Sequence, residues 1–351
     1  MLAFREGLKP LDAKAVHASA PVADLHAHPG LVAHWLRRDL ARSFRPPRFG
    51  YGPVWQQLDL PRMIEGGLRV LTACAYTPTV PPFPPPFEGA QRQLDFVEAL
   101  CERAPGLAKV ARRRGEVGPA LSSARLAIVH AAEGGHHIER SLEKLEALAV
   151  RGLRYLTLTH FVHNGLAQPA KLGPFTLLRG APGLTALGRA VVKKCEDLGV
   201  LVDVTHCSDR SFADVTALAT RPLLATHVGF RRFFRTERNL SDDQARTVAR
   251  SGGVIGIISW SWLLKKRGLS ADVEEMADAV VHGALVAGAE HIGIGTDFDG
   301  FVWSARRMRE ARHYPMLTEA LSRRGFTEAE LRGILGGNYL RVLGESLPGP
   351  R

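Results

Sequence analysis

Cysteine is scarce in this sequence. Its four cysteines, Cys74, Cys101, Cys195 and Cys207, stand far apart in 351 residues, and no C-x-x-C occurs. That spacing reads as reduced thiols in a cytosolic protein rather than a disulfide framework. Long apolar runs are also missing. The most apolar window, GGVIGIISWSWLL at 252–264, is too short and too interrupted by Ser and Gly to span a bilayer. The first residues, MLAFREGLKPLDAKAV, show no basic stretch leading into an apolar core, so no signal peptide is legible. The expectation is a cytoplasmic protein with no membrane partner.

Lysine is scarce as well. It supplies 9 of the 46 basic residues, and arginine the other 37. The formal net charge of +11 raises the question of nucleic acid. The basic residues are spread along the chain. The short clusters at 112–114, 231–232 and 306–307 are not interleaved with the aromatics of a stacking platform. Nucleic acid is therefore not expected as a partner, while a positive field suits anionic small molecules. With no internal repeat and no linker, residues 1–351 read as a single domain.

What the chain does have is alternation. Short apolar runs at 22–26, 70–76, 126–132, 155–159, 200–204, 223–226, 254–258 and 292–296 read as strands. Helix-like patterns at 91–113, 138–151, 185–198, 211–219, 242–251 and 273–287 lie among them. Eight such units predict an α/β fold, a (β/α)8 TIM barrel. Long loops follow strands 1 and 2; the second, PTVPPFPPPF at 78–87, is expected to be stiff and extended. Near the end, Thr327 and Glu330 form a capping-box pattern, and Gly336-Gly337 should break or kink the closing helix.

The polar residues fall at the strand ends. ADLHAHPG places His26 and His28 two apart, on one face of a strand. Glu133 ends strand 3, His160 follows LTLT, His206 follows VDVT, His227 follows LLAT, and Asp297 lies in GIGTDFDG. In a barrel these ends share one face, where barrel active sites are built. Each residue alone is commonplace; together they point to a metal site. His26 and His28 would hold one ion, His206 and His227 a second, and Glu133 could bridge them. Such ligands suit two divalent ions, Zn first, with Mn, Fe or Co as alternatives. A water shared by two ions is acidified. Asp297 reads as the base that moves its proton to the leaving group, and His160 as a donor to a developing oxyanion.

The chain resembles the membrane (renal) dipeptidase family, peptidase family M19 of the amidohydrolase superfamily. The resemblance rests on DLPRMIEGG (59–67), AYTP (75–78), AEGGH (132–136), LTLTH (156–160), VDVTHCSD (202–209), ATH…RN (225–239), GIGTDFDG (293–300) and LRGILGGNYLRVL (331–343). It implies a two-zinc (β/α)8 barrel that hydrolyses dipeptides. Glu133 matches the bridging glutamate, His206 and His227 the second metal's ligands, His160 the substrate-contacting histidine and Asp297 the catalytic acid. The resemblance also implies that Arg238 binds the substrate's C-terminal carboxylate. Members are often dimers, so a homodimer is carried as an expectation, although no interface signature is legible.

Three stretches depart from the family pattern: His26-x-His28 stands for His-x-Asp, FVHNGLAQP lacks a Trp-Ala-Asp, and IISWSWLLKK replaces an Asn-Phe pair. The expected function is a metal-dependent hydrolase of dipeptides or related small amides. The alternatives are a tailoring amidohydrolase acting on another amide, lactone or natural-product intermediate, and a metal-binding homologue that no longer catalyses.

Overall fold

The computed structural model describes residues 2–44, 56–79, 83–122, 125–172, 182–265 and 270–346. Its strands are β1 (Ala23–Ala27), β2 (Val70–Ala75), β3 (Ala108–Val110), β4 (Leu126–Glu133), β5 (Leu153–Thr157), β6 (Leu201–Asp203), β7 (Leu224–Val228), β8 (Val254–Ile257) and β9 (Ile292–Ile294). All pair in parallel in the order β1-β2-β4-β5-β6-β7-β8-β9. Helices cover the outside, so these strands are buried on both faces and mostly apolar, with Asp24, His26, Glu133, Asp203 and His227 among the exceptions. The result is a (β/α)8 barrel.

The barrel closes between β1 and β9. Just past the strand ends, His28 N donates to Phe298 O (2.8 Å) and Asp297 N to His26 O (2.9 Å). Below them, the buried Asp24 carboxylate accepts from Thr296 N (3.0 Å), from Thr296 Oγ1 and from the Tyr314 hydroxyl. Burial raises the Asp24 carboxyl to about 6, with those hydrogen bonds opposing the rise. A second buried aspartate, Asp203, gathers β5, β6 and β7. It accepts from Thr157 Oγ1 (2.6 Å) and from Thr226 N (3.1 Å) and Oγ1 (2.8 Å).

The expected elements shift in three places. The helix predicted at 91–113 runs instead from Pro86 to Arg103. It starts early because proline is suited to a first helical turn, where its missing N–H has no partner to lose. The extended stretch expected at 78–87 is thereby cut short; residues 80–82 lie outside the described residues. The helix ends at the Pro105-Gly106 turn, after which Ala108–Val110 adds β3 against the first half of β4. The helix predicted at 138–151 is broken: Glu139 and Arg140 take positive φ (47° and 63°), and Ser141 caps a new helix, Leu142–Val150. Among the described residues no helix is long and apolar enough to cross a membrane.

The closing helices seal the end of the barrel away from the strand C-termini. Thr327 and Glu330 form the expected capping box, and the helical course kinks within Gly333–Gly337. Asn338 Nδ2 donates to Ala289 O (2.8 Å) and Ile292 O (2.7 Å) at the start of β9. Gly336 lies so close to β1 that a Cβ there would stand 1.8 Å from Pro21 O. Gly336→Ala must push the closing segment off the barrel floor. We expect a loss of about 1–3 kcal/mol, read as a lower denaturant midpoint at unchanged slope.

Candidate metal centre

Each polar residue expected at a strand end is held by a local feature. His26 lies within β1 and His28 just past it; Glu133 is the last residue of β4; His227 lies in β7. His160, His206 and Asp297 sit three residues beyond β5, β6 and β9. His206 and Asp297 take positive φ (67° and 61°), a conformation that His and Asp tolerate better than most residues. The Asp297 turn also needs Gly300, where a Cβ would stand 2.0 Å from Asp297 Oδ1. Gln57 and Asp299 pin that turn reciprocally: Gln57 N donates to Asp299 Oδ1 (2.5 Å), and Asp299 N to Gln57 Oε1 (2.9 Å). Arg62, fully buried, bridges Asp59 (2.6 Å) and Glu310 (2.5 Å) behind this contact.

The structure brings all seven side chains together at the barrel mouth. Glu133 is their centre. Its Oε1 stands 3.1 Å from His206 Nε2, 3.1 Å from His227 Nε2 and 3.6 Å from His26 Nε2. Its Oε2 stands 3.5 Å from His28 Nε2 and 3.6 Å from His160 Nε2. His28 Nε2 also lies 3.2 Å from Asp297 Oδ1. Three overlapping trios have metal-ligand spacing: His26, His28 and Asp297; His26, Glu133 and His227; Glu133, His160 and His206. His160 is thus within ligand reach, although the sequence assigns it to substrate.

The hydrogen bonds behind the rings decide which nitrogen carries a proton. Tyr155 donates its hydroxyl proton to Leu25 O (2.9 Å), so it accepts from His26 Nδ1 (2.7 Å). His28 Nδ1 donates to Cys74 O (3.0 Å). Thr226 gives its proton to Asp203, and its lone pair faces His227 Nδ1 (2.9 Å). In the neutral rings the Nε2 atoms of His26 and His227 are then bare lone pairs, while His28 Nε2 faces Asp297 Oδ1 at 3.2 Å. His26 Nε2 stands 3.0 Å from His28 Nε2, and His206 Nε2 stands 3.1 Å from His227 Nε2. Ring nitrogens gathered this closely around one carboxylate suit a shared cation. This donor set fits divalent ions and satisfies the usual requirement that ligating imidazoles be oriented from behind.

The electrostatics separate His28 from the other four histidines. Burial drives His26, His160, His206 and His227 well below the usual histidine range, keeping them neutral. Burial also lowers His28, but its hydrogen bond to Asp297 and the charges of Glu133 and Asp297 outweigh that and raise it. Glu133 rises to about 8, first through burial, with His28 as the main opposing charge. Asp297 is raised mainly by burial.

Arg238 is buried beside this cluster. Its Nη2 donates to His227 O (2.9 Å) and stands 3.2 Å from His206 Nε2. Its Nε and Nη1 are buried with no partner among the described residues, and burial lowers the guanidinium to about 10. Beside the cluster, a cavity of about 260 Å³ is lined by His28, Glu133, His160 and Asp297. Tyr76 and Trp260 line it, neither of them singled out as a site residue from the sequence. Tyr76 lies in the AYTP motif and Trp260 in the divergent IISWSWLLKK, so the signals were present without an assignment. The behind-the-ring residues Tyr155, Thr226 and Asp203 carried no such signal.

Known proteins share this architecture. Dipeptidase 3 of Rattus norvegicus is 29% identical over 330 residues, covering 94% of this chain and 66% of that protein. The chain spans about half to two thirds of the length of the Dipeptidase 3 relatives it matches. The probable dipeptidase PvdM from Pseudomonas aeruginosa shares the fold with a TM-score of 0.84 at 21% identity, covering 95% of this chain and 97% of that one. A Rhodobacter sphaeroides metallopeptidase, solved with a phosphinate mimic of the dipeptide L-Ala-D-Ala, matches with a TM-score of 0.80 at 24% identity, covering 93% and 99%. The family model described as membrane dipeptidase, peptidase family M19, matches residues 11–347. Barrel, strand-end histidines and family model coincide along almost the whole sequence, and the chain belongs to the membrane dipeptidase family, peptidase family M19.

Proposed function

We propose that this protein is a metal-dependent hydrolase of small amides that carry a carboxylate, with dipeptides the nearest model. The observation that carries the reading is the convergence of five histidine Nε2 atoms on Glu133, with Asp297 beside them in the lining of a cavity. The Rhodobacter sphaeroides neighbour bound to a dipeptide mimic supports the substrate class.

His26 and His28 would hold one divalent ion, His206 and His227 another, with Glu133 between them. Zn2+ is the first choice for this donor set, ahead of Mn2+, Fe2+ or Co2+. Bound ions supply Lewis acidity and lower the pKa of water toward neutrality.

The remaining work falls to the chain's own groups. Arg238, whose Nε and Nη1 are buried with no partner among the described residues, takes the substrate carboxylate by a charge-assisted hydrogen bond. That anchors the scissile carbonyl over Glu133. Asp297 accepts the proton of the attacking water and passes it to the departing nitrogen as the C–N bond breaks. His160, which lines the cavity, donates to the carbonyl oxygen as it gains charge.

Protein purified without chelators should carry about two divalent ions per chain by elemental analysis. Chelation should abolish hydrolysis and zinc should restore it; an active, metal-free sample would end this reading. Asp297→Asn should retain the metal and lower kcat by about 10²–10⁴. Arg238→Ala should chiefly raise KM for substrates with a C-terminal carboxylate and spare their amidated counterparts, measured side by side. Equal losses on both would remove the carboxylate role.

A further inference from the structure

The cavity beside the centre joins four polar residues, His28, Glu133, His160 and Asp297, to a largely apolar remainder. Arg238, His206 and His227 are not among the residues that line it. A substrate whose carboxylate lies on Arg238 and whose scissile carbonyl lies over Glu133 therefore places its acyl half in this cavity.

The cavity wall is apolar: Leu31, Tyr76, Phe161, Trp260, Phe301 and Val302. It is also fixed in place. Trp260 pairs across to Ser304 and meets Trp262 edge-on at 5.4 Å. On either side, Ser261 N donates to Trp303 O (2.9 Å), and Ala305 N to Ser259 O (2.7 Å). Tyr76 packs on the His160 ring at 4.5 Å.

A dipeptide with a free amino end would bring an α-ammonium into this space. The carboxylates lining the cavity are Glu133 and Asp297, both already facing imidazoles. Asp299, in the same loop, is not among the lining residues: its Oδ1 accepts from Gln57 N, and its Oδ2 is buried with no partner among the described residues. The stretches outside the described residues, 45–55, 80–82, 123–124, 173–181, 266–269 and 347–351, contain no Asp or Glu, so none of them supplies another. Trp260 Nε1 is buried without a partner among the described residues, but it is itself a donor and gives an ammonium nothing. An ammonium here gives up its water without a dedicated partner, whereas an apolar acyl chain gains by leaving water.

We infer that the preferred substrates are amino acids N-acylated with an uncharged, apolar acyl group, aromatic rings included. This rests on the amide-hydrolase reading and narrows it. The oxygen of water bonds to the acyl carbon and the C–N bond breaks. The nitrogen leaves with a proton, giving the free amino acid and a carboxylic acid.

The test compares L-phenylalanyl-L-alanine with 3-phenylpropanoyl-L-alanine on the metal-loaded enzyme. The two differ only by the α-amino group. The desamino compound should have the higher kcat/KM by about tenfold or more. Trp260→Ala should lower its advantage over acetyl-L-alanine by about tenfold. Equal or faster cleavage of phenylalanyl-alanine overturns the inference and leaves the hydrolase reading standing. If neither is cleaved, yet calorimetry shows the desamino compound binding about tenfold tighter, the cavity assignment stands and the hydrolase reading falls. Binding of neither overturns both.

Discussion

The crowding of five imidazole nitrogens onto one buried carboxylate is the constraint on which this barrel mouth is organised. His26 against His28, and His206 against His227, bring their Nε2 atoms within about the distance of a hydrogen bond. Three of the rings are held there by acceptors behind them: the Tyr155 hydroxyl, the Cys74 carbonyl and the Thr226 hydroxyl. The protein has thus spent its outer hydrogen bonds on turning Nε2 atoms inward, onto a carboxylate too deeply buried to ionise easily. A cation resolves both difficulties together.

The same logic extends one layer outward. The acceptors behind the rings are themselves fixed. Thr226 is fixed by Asp203, which also ties β5 and β6 to β7, and Tyr155 is fixed by the β1 carbonyl at Leu25. Asp24 performs the matching task at the β1–β9 seam, just below His26 and Asp297. The barrel's closure and the ring orientations are therefore one network. A change at either aspartate would disturb strand pairing and ligand geometry together, so mutation alone could not separate them.

This organisation explains what was legible in the sequence. Apolar runs followed by His, Glu or Asp located the barrel strands and the residues now found around Glu133, because in a parallel barrel a strand end fixes a side chain's place. Three features were not legible. β3 is three residues long, in a stretch dominated by basic residues, and owes its pairing to the unusual length of β4. The break at Glu139 and Arg140 depends on a left-handed backbone that neither residue type advertises. Tyr155 and Thr226 act on a histidine 129 and 200 positions away, a distance over which local pattern carries nothing.

The cavity wall leads to a different matter, the freedom of this fold to change. β2 and β8 supply none of the residues gathered around Glu133; past their ends they supply Tyr76 and Trp260. Two spokes of the wheel are thus exempt from ligand duty, and they flank the space where a substrate's variable part would rest. Drift in those two loops can retune what the protein accepts while the chemistry stays untouched, so substrate range and reaction type are inherited separately.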